Sequence, residues 1–138
     1  MPELVEGVWR PCRGAGRDDL DALQRAAPFT LPRSYLDQLA MSNGGEGSLT
    51  VQPWWIVFWE AESVIESNAD YELSKHLPGF FGFASSGGGE LLAFDARGRE
   101  PFPIVAIPFI PLDATLAILV ARNFDELKGM IGKPYLEG

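Results

Sequence analysis

The segment 31–45, LPRSYLDQLAMSNGG, constrains the fold more than any other part of the chain, because it specifies a helix from start to stop. Pro32 belongs in a first turn, where its fixed φ is already helical and its missing N–H is not needed. Tyr35, Leu36 and Leu39, with Met41 or Ser42 behind them, recur at helical spacing and define one apolar face. Asn43, Gly44 and Gly45 then end the helix, since Asn and Gly reach the left-handed conformation that a C-cap requires. The spacing predicts a helix over 32–42 that must bury Tyr35 and Leu39 against something else.

What that partner layer is follows from the change of period after Gly45. Segments 48–52 and 54–59 are rich in β-branched and aromatic residues, with Pro53 between them. Proline cannot donate to a sheet ladder, so they read as two strands or one bent edge strand. Segments 80–84 and 91–95 are short strand runs joined by Ser85, Ser86, three glycines and Glu90, a hairpin signature. A further strand is expected over 102–109. Segment 112–119 reads either as a helical turn capped by Asp113 or as a strand from Leu116. Helical patterns flank this block. Asp18 is a candidate N-cap ahead of Leu20, Leu23 and Ala27, and Pro28 ends that helix. A helix from Glu60 to about Leu73 places Ala61, Val64, Ile65 and Asn68 on one side. Asn123 with Glu126 forms a capping box for a last helix with Phe124, Leu127, Met130 and Ile131 on its apolar face. The whole predicts an α+β fold, a twisted, mostly antiparallel β-sheet flanked by α-helices. Segment 1–16, with its prolines and glycines, is expected to be an irregular arm, and 17–138 a single domain.

Charge narrows the partners. The 138 residues carry 19 acidic and 11 basic side chains, a net −8, which repels phosphate backbones and argues against nucleic acid. A basic protein is the better-matched partner, because complementary fields speed encounter and suppress wrong ones. No apolar run is long enough to span a bilayer. The start, Met-Pro-Glu, lacks a basic and apolar leader pattern. Cys12 is alone, which excludes an internal disulfide and suits a reducing cytoplasm.

Catalytic chemistry finds little support. His76 is the only histidine, so no multi-histidine metal site can form and no Ser-His motif surrounds it. Cys12 has Arg10, Arg13 and Arg17 nearby but no local histidine, and reads as a bystander thiol. The run Gly87-Gly88-Gly89 lacks the Gly-Lys-Ser/Thr that a phosphate loop needs, and Glu90 follows it. Pairs such as Glu60 and Glu62 read as a solvated face rather than an acid/base couple. No cofactor and no metal is expected. Two features remain as candidate partner-binding residues. The first is the acidic run of Glu60, Glu62, Glu66, Asp70 and Glu72, opposed by Lys75 alone, with like charges stacked four residues apart. The second is the aromatic group around Trp55 and Trp59. In a strand, Trp54, Ile56 and Phe58 point one way and Trp55, Val57 and Trp59 the other. Trp is enriched at interface hot spots, although core packing is its commoner use.

The order of landmarks resembles a known family. Leu31-Pro32-x-x-Tyr35, then Leu39, then Asn43-Gly44-Gly45, then strands, is similar to the SUKH superfamily, named in part for a fungal regulator of cell-wall glucan synthesis. Segment 85–95, SSGGGELLAFD, resembles its Gly-rich turn and Asp-terminated strand. Ile104-Val105 matches its next strand, and 123–127, NFDEL, its closing helix. The resemblance covers about 18–132. Gly89-Glu90 stands where the family commonly has Gly-Asp, and Trp54-Trp55 has no clear counterpart. The resemblance implies an α+β, SUKH-like domain that works by binding protein rather than by catalysis. Many bacterial members are immunity proteins that neutralise toxins, often nucleases, while eukaryotic relatives act in cell-wall synthesis and signalling. A cytoplasmic immunity protein covering a basic toxin domain is therefore the first expectation, and a regulatory or scaffold module binding a cellular protein the second. No membrane partner is expected, and monomer and homodimer both remain open.

Overall fold

The computed structural model describes residues 3–137. Its centre is a seven-stranded sheet in the order β2-β3-β4-β5-β6-β7-β8, with every neighbouring pair antiparallel. The strands are β2 Trp9–Arg10, β3 Glu46–Ser48, β4 Trp55–Phe58, β5 Phe80–Ser85, β6 Glu90–Asp95, β7 Ile104–Pro108 and β8 Ile118–Ala121. Five helices accompany them: α1 Arg17–Ala26, α2 Arg33–Met41, α3 Ala61–Asp70, the single turn α4 Leu73–His76, and α5 Phe124–Lys128. The α+β expectation holds, with a sheet that runs in near-sequential antiparallel order.

Helix α2 forms as its sequence dictates. Pro32 is the N-cap at an extended ψ of 137°, and Ser42 the C-cap. Tyr35 and Leu39 are fully buried. Of the two residues behind them, Ser42 turns inward and Met41 outward, because Ser42 Oγ accepts from Cys12 N–H and donates to the Gly44 carbonyl. Gly44 and Gly45 take φ of 108° and 93°, the left-handed region the stop requires. Tyr35 packs edge-on to Phe83, Phe94 and Phe124, with ring centres 5.3–5.4 Å apart, an arrangement favoured by ring quadrupoles.

The sheet is covered on both faces. On one, α1, α2, α3 and α5 bury Leu23, Leu39, Val64 and Leu127 against Ile56, Phe58 and neighbours. On the other, α4 and the 109–117 segment cover Leu91, Ala93, Val105 and Ile107, with Leu73 and Leu77 filling the interface. Burial on both faces explains why β6 and β7 read as continuous apolar runs rather than alternating ones.

Several local expectations change. Within the segment expected to be irregular, two short pieces are strands: β2 joins the sheet beside β3, and β1 Glu3–Val5 pairs with β9 Tyr135–Glu137 to form a separate ribbon. These strands are too short for periodicity to reveal, and their partners lie far along the chain. Segment 50–54 is a turn, so β3 ends at Ser48 and β4 begins at Trp55, and β4 is an inner strand. Both readings of 112–119 are correct in sequence: a 3-10 turn over Ala114–Leu116 capped by Asp113, then β8. Helix α1 begins one residue before Asp18, with Gly16 at the N-cap. In the capping box of α5, Asn123 accepts from Glu126 N–H at 2.8 Å as expected. Glu126 reaches past Asn123 to the N–H of Arg122.

Candidate functional site

Helix α3 carries most of the acidic candidates, and its start is fixed by the end of α2. Asn43, part of the Asn-Gly-Gly stop, lends its side-chain oxygen to the N–H of Ala61 at 2.8 Å. One residue thus closes one helix and satisfies a free donor at the start of the next. Ala61 and Val64 face the core, and Ile65 is half-buried beside them.

Asn68 ties the middle of α3 to the sheet. β4 pairs with β5 only at Ser85 and Ala84, so the start of β5, paired with β6 on one side, has no strand on the other. The Asn68 amide fills that gap: it donates to the Gly82 carbonyl at 2.8 Å and accepts from Gly82 N–H at 2.9 Å. Its nitrogen also donates to the Val64 carbonyl at 2.7 Å. A side chain here does what a strand backbone would do.

With Ala61, Val64 and Asn68 turned inward, Glu62, Glu66 and Asp70 form one exposed stripe. None of these three, nor Glu60, has a cation within 4.0 Å among the described residues. Glu60 and Glu62 lie together at the helix start. Hydrogen bonding to and repulsion by Glu62 push the Glu60 carboxyl above its ordinary range. Glu62 is held below its range by the bond from Glu60, its own backbone and Asn43. Glu72 leaves the stripe. The helix ends at Asp70, and Glu72 takes a left-handed φ of 50° that redirects the chain into α4 on the other face of the sheet. There Glu72 meets Lys75 at 3.9 Å.

The aromatic candidates are not gathered with the carboxylates. Trp55 lies half-buried on the sheet face opposite the main helical layer, with the Arg10 guanidinium 5.7 Å from its ring centre. Arg10 also reaches Glu46, so charge on that face is paired. Trp59 is half-buried where the two cores meet, stacked on Tyr71. Trp54 does not continue the strand. Its φ is 71°, and its exposed ring stacks on Tyr135, which joins the β1–β9 ribbon to the sheet.

A feature without a signal in the periodicity lies beside the acidic stripe. A groove of about 560 Å3 runs between α3, the end of α1 and the start of β5, walled by Phe29, Ile65, Ala69, Pro78, Phe81 and Phe102. Phe29 is wedged against the rings of Phe81, Phe94 and Phe102, with centres 4.9–5.9 Å apart, which keeps the groove open. Phe29 and Phe102 stand in irregular segments beside Pro28 and between Pro101 and Pro103. Helix and strand templates overlook such residues; aromatics bracketed by prolines are the one sequence signal that marks them as loop anchors.

Both the stripe and the groove fall inside the span that comparison with protein families recognises. A model of the SMI1 / KNR4 family (SUKH-1) matches residues 14–128. The chain belongs to that family. No curated protein matches it. The SUKH-1 match runs from the turn before α1 to the last residue of α5, and so includes all five helices and six of the sheet strands. β1, β2 and β9 lie outside it.

His76 and Cys12 are both exposed, far apart in sequence and on different elements. Among the described residues, no three His, Cys, Asp or Glu side chains come together as a metal-binding group. Among the described residues, no helix is long and apolar enough to cross a membrane.

Proposed function

We propose that this SUKH-1 domain is a cytoplasmic immunity protein that binds and neutralises a basic toxin domain without catalysing a reaction. One observation carries the reading: Glu60, Glu62, Glu66 and Asp70 stand exposed with no cation beside them among the described residues, on a chain of net charge −8. Stacking like charges along a helix costs a few tenths of a kcal/mol per pair, and a cationic partner turns that cost into attraction. Family membership supports protein binding as the mode of action.

Co-expression with basic toxin domains encoded by the genes adjacent to this one, once those genes are identified, tests the reading. Rescue of growth and a complex that dissociates as salt rises are expected. Undiminished toxicity at full expression of the folded chain would refute it. A regulatory or scaffold role would then be the better account.

A further inference from the structure

The apolar groove beside α3 lies next to the acidic stripe. We propose that the groove walled by Phe29, Ile65 and Phe102 receives an apolar anchor side chain of the partner, while lysine or arginine residues next to that anchor engage Glu66 and Asp70. The proposal rests on the protein-binding reading and deepens it.

Successive residues of a helix are about 100° apart. Ile65 and Ala69, which line the groove, are therefore each followed by a member of the acidic stripe, Glu66 and Asp70. Apolar wall and acidic rim are two sides of one helix. An occupant that extends out of the groove across α3 reaches the rim.

The groove is also preformed. Phe29 is packed against three other rings, and Asn68 pins α3 to β5 on the far wall. A volume of about 560 Å3 falls in the range of sites that receive ligands, and it leaves ample room for a leucine or phenylalanine anchor. Interface energy concentrates in such anchors when they fill pockets ringed by polar contacts.

Charge then selects the occupant. The Asn68 amide is spent on Gly82 and Val64, which leaves Ser74 as the other polar side chain of the wall, and the Arg97 guanidinium is taken up over the Phe80 ring and by Asp95. Specificity falls to shape and to the rim. An acidic segment is repelled by Glu66 and Asp70, a neutral one leaves them uncompensated, and a basic one pairs with them. The Trp55 face lacks this selectivity, since Arg10 and Glu46 there already pair with each other.

The test uses the full chain, isotope-labelled, and a synthetic amphipathic peptide with two leucines at i and i+4 flanked by lysines. A second peptide replaces the lysines with glutamate. Backbone amide shifts centred on Ile65, Ala69 and Phe102 are expected with the first peptide, and no binding with the second. Ala69→Trp fills the groove from an exposed helix position. The double variant Glu66→Lys, Asp70→Lys reverses the rim. Each should weaken the lysine peptide by about tenfold or more with an unchanged circular dichroism spectrum. Failure of the lysine peptide to bind, shifts centred on Trp55, or equal binding by both variants would overturn the proposal. Toxin rescue separates the two levels. If the wild type and Ala69→Trp rescue equally, the groove is not the dock and the immunity reading stands. If the wild type does not rescue while the peptide shifts the groove amides, the groove stands and the immunity reading falls.

Discussion

Replacing Asn68 removes the clamp that sets α3, and with it the acidic stripe, against the sheet. In Asn68→Ala both hydrogen bonds to Gly82 disappear, along with the bond to the Val64 carbonyl. The two bonds to the strand are worth about 1 kcal/mol each net. The Gly82 N–H and C=O also lose their partner in a partly buried place, and an unsatisfied group costs about 1–3 kcal/mol where water cannot reach it. The groove beside Asn68 admits some water, which sets the expected loss near 3 kcal/mol rather than higher. For a chain of this length the unfolding entropy is about 0.3 kcal/mol/K, so the thermal midpoint should fall by roughly 10 °C. Asn68→Asp sharpens the test. Its carboxylate keeps an acceptor for Gly82 N–H but turns a second oxygen toward the Val64 and Gly82 carbonyls. At neutral pH it should destabilise at least as much as alanine. Burial beside those carbonyls favours the protonated acid in the folded state, so the deficit should shrink as pH falls from neutral toward about 4, where the unfolded chain also protonates, and change no further below that. Urea unfolding followed by circular dichroism reads both variants. A loss under about 0.5 kcal/mol for Asn68→Ala, the level of an ordinary surface substitution, would refute the account. So would a neutral-pH Asn68→Asp protein as stable as the wild type.

Other perturbations follow from the same geometry. Tyr35 is fully buried and its hydroxyl has no hydrogen-bond partner, so Tyr35→Phe should stabilise the fold by about 1 kcal/mol in denaturant unfolding. Burial pushes that hydroxyl well above the ordinary tyrosine range. Its contribution is therefore intact below about pH 10 and is lost at higher pH, where only the unfolded chain can ionise; Tyr35→Phe should lack this alkaline loss. Gly45→Ala places a Cβ 2.8 Å from Ser42 Oγ at a φ of 93°, and should lower stability by about 1–3 kcal/mol. Gly89→Ala, where a Cβ meets nothing within 4 Å, should be near neutral in the same melt. Arg97 beside Asp95 holds its carboxyl below the usual range through bonds of 2.9 and 3.0 Å. That stability exists above about pH 4 and fades as pH falls, so Asp95→Asn should cost up to about 1 kcal/mol at neutral pH and progressively less in acid.

The helices and inner strands were legible because their signals are local. Pro32, Tyr35, Leu39 and Gly44-Gly45 define α2 through steric and periodic rules that act within a few residues. The hairpin of β5 and β6 is legible for the same reason, as is Asn123 at the start of α5. Local rules fail where two distant segments define each other. Trp9 and Arg10 become a strand only because Glu46 and Gly47 lie beside them, and β1 exists only through β9. The acidic run illustrates both limits. Its four-residue spacing marks a stripe, but the left-handed turn at Glu72 that removes that residue from it is set by the need to pass α4 to the second face of the sheet.

By itself, then, the sequence determined the element types, the stop after α2, the acidic balance and the family resemblance, all properties of neighbouring residues or of totals. Tertiary structure alone decided that Asn43 would cap α3 and that Asn68 would stand in for a strand beside Gly82. It also separated Trp55 from the carboxylates and placed an apolar groove next to them. The physical reason is sequence distance. Phe29, Ile65 and Phe102 lie more than thirty residues apart along the chain, and only packing around a common set of rings brings them to one wall.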